Sequence, residues 1–404
     1  MGRGEPCVKS SLLGRPRESE GRAASGTRRA PPGIRFQASE QAPGSFRAYH
    51  EAVIDLQDRH FLSTLDFSVE EVRHLVRRAL DLKARARDGT FPRSLAGRVG
   101  ALLFFNPSVR TRVSCESAMT RLGGSAITIN PGKDTWNFEV GDGVVMDGST
   151  QEHVRELAPV LSRMCHFIGV RKSELITVGS ARAEASADYA ELARDPFLHA
   201  LAEHGEVPIV NLESNRFHPL QGLADMATMQ ERLGEPAGRK YVLTWTWHPK
   251  SLPVATPHSQ MLAAADLGMD VTVLRPKGWE LEPAVMVAAR ERARSCGGDV
   301  TETDDPSAAY EGAHVVCAKA WGSLDYYGRF EQEAEDKAPL RAEWTVDEAR
   351  MDRTDDAFFM HCLPVRRNIV VSDGVLDSSR SAVIDEAENR LWTAAALFAA
   401  LGGK

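Results

Sequence analysis

Apolar residues along this chain fall into short continuous runs separated by amphipathic stretches, from about Leu56 to the C-terminus. Runs at 99–105, 126–129, 167–170 and 208–212 have the length and composition of buried strands. Between them lie helical stretches. Ser68 and Glu71 form a capping-box pair that opens one, and 108–122 forms another that Gly123-Gly124 should stop. The alternation restarts after about residue 213, with strand-like runs at 241–247, 270–274, 315–318 and 358–361, and a helix expected over 223–233. Strand–helix alternation of this kind predicts parallel sheets flanked by helices. Two series in succession predict an α/β protein of two Rossmann-like domains, at 47–212 and 213–384. The last segment, 385–404, has an apolar face suited to packing back on the first domain.

Residues 1–46 break the pattern. Arginines at 3, 15, 17, 22, 28, 29 and 35 lie among Ser, Gly and Pro with no apolar period, so this stretch is expected to be a disordered basic tail. It has no apolar core of the kind a signal peptide needs. No run approaches the roughly 18 apolar residues of a membrane span. The formal charge is −7, from 49 Lys+Arg against 56 Asp+Glu, which argues against a nucleic-acid-binding surface over the whole chain. Six cysteines without a CxxC form neither a disulfide framework nor a zinc ribbon, so a reducing compartment, the cytoplasm, is expected.

Three strings carry candidate chemistry. Ser108-Val109-Arg110-Thr111-Arg112 follows a strand and opens a helix, where helix N–H groups, two hydroxyls and two guanidinium groups can cradle a phosphate. In His218-Pro219-Leu220-Gln221, His and Gln three apart on one helical turn can address a single carbonyl–NH₂ group, the imidazole polarising the oxygen and the amide accepting from the nitrogen. His361-Cys362-Leu363-Pro364 ends a strand and exposes backbone carbonyls there, with Arg366 and Arg367 following. Its His–Cys neighbours, like Cys165-His166, point to opposite faces of a strand and make a poor nucleophile–base pair.

In this order, S-x-R-T-R, H-P-x-Q and H-C-L-P resemble the aspartate/ornithine carbamoyltransferase superfamily, from about Leu56 to the C-terminus. The resemblance implies one domain for carbamoyl phosphate (47–212 with 385–404), one for the amino acid (213–384), and active sites shared between subunits of a homotrimer. It implies no metal and no organic cofactor. Ser108, Val109, Arg110, Thr111, Trp136, Arg171, His218, Gln221, Cys362, Leu363 and Arg390 would bind carbamoyl phosphate. Arg112, Thr111, His218 and Gln221 would act in catalysis, while Glu213, Lys319, Leu363 and Gln151 would bind the amino acid.

Within the superfamily, Cys362 favours the ornithine side. Where ornithine enzymes carry an Asp-x-x-x-Ser-Met-Gly loop, this chain reads Lys319-Ala320-Trp321-Gly322-Ser323-Leu324-Asp325. The acid that pairs with an α-ammonium has become a lysine, a change of sign worth on the order of kcal/mol at close range. A lysine welcomes a substrate whose α-nitrogen is acylated and uncharged and whose carboxylate remains. GKDTW at 132–136, VMDG at 145–148, TWTWHPK at 244–250 and DEAENRL at 385–391 resemble N-acetylornithine carbamoyltransferases, whose Trp loop comes from a neighbouring subunit. N-succinylornithine and ordinary ornithine are the alternative substrates, and a non-catalytic anion-binding paralogue is the alternative of another class. Two positions depart from that branch: Val370 stands where the family carboxylates a lysine, and Gln151 where it selects the acyl group with an acid. Glu213 also lies one residue further from His218 than the family spacing.

Overall fold

The structure, a computed structural model, describes residues 56, 58–174 and 189–402; the tail expected at 1–46 lies outside them. Helix α1 (Val69–Arg87) begins at the anticipated capping box, where the Ser68 hydroxyl accepts from the Glu71 amide at 3.2 Å and the Glu71 carboxylate accepts from the Ser68 amide at 2.7 Å. Such a cap stabilises a helix start by about 1 kcal/mol. Strand β1 (Val99–Phe104) follows. Its Leu102 and Phe104 enter one hydrophobic core and Ala101 and Leu103 another, which is why its sequence is continuously apolar rather than alternating. Helix α2 (Val109–Arg121) follows and stops where expected: Gly123 takes φ +86° and the Gly124 amide donates back to the Met119 carbonyl at 2.9 Å.

The first half continues with β2 (Ser125–Ile129), β3 (Asn137–Glu139), β4 (Thr150–His153), α3 (Val154–Met164), β5 (Phe167–Arg171), α4 (Pro196–His204), β6 (Ile209–Glu213) and α5 (Pro219–Leu233). Its sheet is parallel in the order β2-β1-β5-β6, and Phe61 extends the β6 edge by a parallel bridge to Val210. Strands β3 and β4 pair only with each other, as a two-stranded parallel ribbon that the hydrophobic pattern did not announce. Helix α5 begins at Pro219, four residues before the start expected at 223, because proline is preorganised for the first helical position.

The second half comprises β7 (Lys240–Trp245), α6 (Ala255–Asp266), β8 (Asp270–Leu274), α7 (Pro283–Ser295), β9 (Val300–Thr303), β10 (Val315–Lys319), α8 (Phe330–Lys337), β11 (Phe358–Met360) and α9 (Val383–Gly402). All five strands are parallel, in the order β11-β10-β7-β8-β9. Helix α9 returns to the first half and packs on α1, α2 and α5. There Phe398 stacks on Phe167 of β5 with ring centroids 4.5 Å apart, and burying a side chain of that size contributes about 1.5–3 kcal/mol. The α/β architecture of parallel sheets flanked by helices and the returning helix are those expected. Away from the sheet ends, Arg292 ties the halves together, pairing with the buried Asp266 and donating to the Phe67 carbonyl at 2.9 Å.

Candidate active site

The carboxyl ends of β1, β5 and β6 face those of β7, β10 and β11 across a cleft of about 1000 Å³, the place where open parallel sheets bind ligands. Ser108, Val109, Arg110 and Thr111 open α2 on its wall. Ser108 has the extended backbone of an N-cap and its hydroxyl accepts from the Thr111 amide at 3.2 Å. The N–H groups of this first turn, with the positive end of the helix dipole, can take an anion. The two arginines of the turn separate. Arg110 reaches across the cleft, its Nε donating to the Cys362 carbonyl at 3.1 Å and its terminal nitrogen to the Leu363 carbonyl. Arg112 stays at the half-exposed rim, paired with Glu116 one turn on at 3.0 Å.

Behind this turn lies a buried network. Arg390 of α9 is 2 % exposed and donates to the Thr111 hydroxyl at 2.9 Å and to the Gln221 side-chain oxygen at 2.6 Å, joining the first and second strings. The Gln221 amide nitrogen is spent on Asp225 and Glu386, both at 2.8 Å, leaving only its oxygen for a ligand. Arg171, at the end of β5, is buried against Glu213, at the end of β6, in an ion pair. His218 lies 3.5 Å from that carboxylate through Nε2, and its Nδ1 has no protein partner. Burial, reinforced by Arg390, Arg171, Lys319 and Arg110, holds the His218 imidazole well below its ordinary value, so it is neutral at neutral pH. Its position depends on a close helix approach. The His218 amide donates to Ser259 Oγ on α6 at 2.8 Å, and a Cβ on Gly222 would meet the Ser259 carbonyl at 2.9 Å.

The third string forms the opposite wall. The Leu363 amide donates to His361 Nδ1 at 2.9 Å, and Leu363 takes φ +53°, a left-handed conformation costly for a branched side chain. This turn aims the Cys362 and Leu363 carbonyls at Arg110. Burial pushes the Cys362 thiol up, and its neighbour His361 is occupied by the Leu363 amide, so no activated thiolate is formed. Lys319, at the end of β10, lines the cleft; its carbonyl accepts from the Thr246 amide at 3.1 Å, but its ammonium makes no hydrogen bond or ion pair among the described residues. Near it lie residues the sequence reading passed over: His248, whose Nε2 accepts from Arg366 Nε at 3.0 Å, and Lys133. Burial lowers His248 to about 4. Leu252, Pro253 and Val370 complete an apolar flank.

Thirteen of the fifteen anticipated residues thus line one cleft. Trp136 and Gln151 do not. Trp136 is 49 % exposed with its indole donating to Glu152 at 2.7 Å, and Gln151 is exposed on β4. Among the described residues no cluster of three or more His, Cys, Asp or Glu could hold a metal ion.

Residues 59–231 match the aspartate/ornithine carbamoyltransferase carbamoyl-P binding domain, and residues 254–401 match the Asp/Orn binding domain of the same family. The chain is 41 % identical over 352 residues to the N-acetylornithine carbamoyltransferase of Xanthomonas campestris pv. campestris, covering 86 % of this chain and 98 % of that protein. It is 36 % identical over 294 residues to the N-succinylornithine carbamoyltransferase of Bacteroides fragilis, covering 72 % and 82 %. Among solved structures it superposes on an acetylornithine transcarbamylase complexed with acetylcitrulline with a TM-score of 0.79 and 40 % identity, covering 86 % of this chain and all of that one.

Proposed function

The chain belongs to the aspartate/ornithine carbamoyltransferase family and is a carbamoyltransferase, and from that premise we propose that it carries the carbamoyl group of carbamoyl phosphate to the δ-amine of N-acetyl-L-ornithine. The products are N-acetyl-L-citrulline and phosphate, in arginine biosynthesis. The observation that carries the substrate choice is Lys319, whose ammonium has no partner among the described residues, in the cleft at the end of β10. It repels an α-ammonium and attracts the carboxylate that an acylated ornithine keeps.

In this reading the α2 N-terminus, Ser108 and Arg171 hold the phosphate. Arg110 exchanges its two carbonyl contacts for the ligand's oxygens, which frees the Leu363 carbonyl to accept from the carbamoyl NH₂. The neutral δ-amine attacks the carbonyl carbon; Arg110, Thr111 and the neutral His218 stabilise the tetrahedral oxyanion. The C–O bond to phosphate then breaks and the departing phosphate takes the amine proton, so no separate protein base is needed. Arg112, held at the rim by Glu116, is left to guide anions inward.

Trp136 and Gln151 belong in this reading to the site of the next subunit in a homotrimer. Support comes from exposed apolar surface: among the described residues, seven of the eleven exposed large hydrophobic side chains lie between Val109 and Met146, the stretch that carries the Trp loop. Gln151, uncharged where the resemblance expects an acid, favours N-succinylornithine as the second substrate reading. No helix among the described residues is long and apolar enough to cross a membrane, in keeping with a cytoplasmic enzyme. The test is ureido-product formation from carbamoyl phosphate with N-acetylornithine, N-succinylornithine and ornithine. We expect kcat/KM for the acetylated amine to exceed that for ornithine by more than about tenfold, the worth of one charged contact. Equal or better turnover of free ornithine overturns the assignment.

A further inference from the structure

Asp225 of α5 and Glu386 of α9 are both 0 % exposed, and among the described residues neither carboxyl lies in a salt bridge. They meet at the Gln221 amide nitrogen, which donates to Asp225 Oδ1 and Glu386 Oε1 at 2.8 Å each. Glu386 Oε2 accepts from the His361 amide at 2.9 Å, and Asp225 Oδ2 receives no N–H donor. Two anions this close without water would repel strongly. Two cations face them: Arg390, bonded to Gln221 and acting on Asp225, and Arg110, which acts on Glu386 while donating to the Cys362 and Leu363 carbonyls. Cys317 on β10 and Tyr241 on β7 are pushed well above their ordinary values by burial and are neutral, as is Cys362. Gln260 on α6 lies beside Asp225 and is uncharged. Among the described residues neither arginine bonds to either carboxyl, because both are spent on Gln221, Thr111 and the Cys362 and Leu363 carbonyls, so no direct ion pair neutralises a second anion.

We infer that Asp225 and Glu386 share a single proton, donated between the two carboxyls, and that this monoanionic pair is a positioning element for the carbamoyl end of the site. The pair sets three ligand-facing groups at once. Gln221 is fixed with its oxygen toward Arg390 and the cleft. Arg390 receives its counter-charge. The His361 amide, which begins the turn presenting the Leu363 carbonyl, is held by Glu386. Loss of the shared proton would place two anions on Gln221 and draw Arg390 away from Thr111. The direction of the two carboxyls agrees: burial raises Asp225 to about 7 despite its hydrogen bonds to Gln221 and Glu386, and burial with the neighbouring Asp225 charge raises Glu386 well above the carboxylate range.

The functional consequence rests on the carbamoyltransferase reading above, so the first measurement does not depend on activity. In the infrared difference spectrum, parent minus Glu386→Gln at pH 7, a deuteration-sensitive band of a protonated carboxylic acid is expected. It should appear whichever oxygen holds the proton, because Asp225 ionises once Glu386 is gone. A difference confined to the carboxylate region overturns the proposal even if the enzyme proves to use another substrate. The second measurement is the pH profile of kcat/KM. The parent should lose activity on an alkaline limb as the pair becomes a dianion, and Glu386→Gln should lack that limb. At pH 6.5 Glu386→Gln should cost less than about tenfold and Glu386→Ala more than about a hundredfold, since alanine strands the Gln221 and His361 donors. An unchanged alkaline limb in folded Glu386→Gln also overturns it. Should Glu386→Ala not fold, the infrared band and the Gln profile decide.

Discussion

The two ends of the cleft are built on opposite principles. At the carbamoyl end, Thr111, Arg171, Glu213, Gln221 and Arg390 are each no more than 7 % exposed and are bonded chiefly to one another, so the anion cradle exists before any ligand arrives. At the amino-acid end, the Lys319 ammonium has no partner among the described residues, the His248–Arg366 contact sits at the exposed rim, and Leu252, Pro253 and Val370 offer only shape. A preorganised polar site stabilises developing charge without reorganising during reaction, which is what an oxyanion requires. An unpartnered cation selects a ligand by charge and contributes little until the ligand binds. The same cleft therefore separates chemistry from selection along its length.

The largest test of that division is Arg390→Met. It removes the donor from Thr111 and Gln221 and the counter-charge from the Asp225–Glu386 pair. Breaking a buried charged network by deleting one member costs about 3–5 kcal/mol, so the melting temperature should fall by about 5–10 °C. The rate, kcat, should fall by at least about a hundredfold. A variant of parental stability and activity would mean that the carbamoyl end is not preorganised.

Lys319→Ala is the matching test at the other end, and its signature is the reverse. Stability should stay within about 0.5 kcal/mol, because the ammonium has no protein partner to lose. KM for the acylated amino acid should rise roughly 10- to 150-fold, the worth of a charge-assisted hydrogen bond, with KM for carbamoyl phosphate unaltered. Lys319→Asp should bind acylated ornithine still more weakly and accept free ornithine. Equal losses for both amines would remove Lys319 from substrate selection.

The two ends also differed in how well the sequence announced them. The α2 cradle was legible because a strand run, a helix N-cap and two arginines stand in eight consecutive residues, and local physics ties them together. H-P-x-Q was legible as a helix start, though not the fate of Gln221, whose nitrogen is taken by Asp225 and by Glu386, 165 residues away. Asp225 and Glu386 sit in helical segments where acids ordinarily read as solvent-facing, and they are buried by tertiary packing, of α9 on α5 and of α6 and the second sheet beside them. His248 and Arg366 carry no spacing signal, because they come from different strand ends. Strands β3, β4 and β9 are short, and only Val300 among their residues is buried, so the hydrophobic pattern had almost nothing to show. Trp136 was found through family resemblance alone. By itself it is an exposed indole bonded to Glu152.

That exposed indole permits a test of whether the cleft is completed from outside. If Trp136 serves the next subunit, co-expressing Arg110→Ala and Trp136→Ala chains gives mixed trimers in which one Arg110-intact subunit always meets one Trp136-intact neighbour. Each mixed trimer then holds one native site of three. Random mixing should restore about a quarter of parental activity from two nearly inactive parents. No recovery, with mixed trimers verified by differential tags, would return Trp136 to a surface role.

The smallest effect is a pH dependence of stability. On the carbamoyl side α6 carries His258, which is 0 % exposed. Its Nε2 accepts from the Glu282 amide at 3.2 Å, so Nδ1 bears the proton and donates at 3.0 Å to the Arg216 carbonyl, two residues before His218. Burial lowers this imidazole to about 4. The folded chain therefore binds fewer protons than the unfolded chain between about pH 4 and the ordinary histidine value near 6.5, and stability in that window falls as pH falls. His258→Gln keeps a donor and an acceptor but cannot titrate. It should be less stable than the parent at pH 7.5, and the gap should narrow by about 1 kcal/mol between pH 6.5 and 5.5. His248→Gln, at the more open amino-acid end, should narrow the gap less, because its imidazole keeps more contact with water. Denaturant midpoints measured across that range check both. A parallel pH dependence for parent and His258→Gln would show that this histidine takes up its proton over the same range folded and unfolded, so that burial does not hold it neutral. The contrast between a closed carbamoyl end and an open amino-acid end would then not extend to its supporting helix.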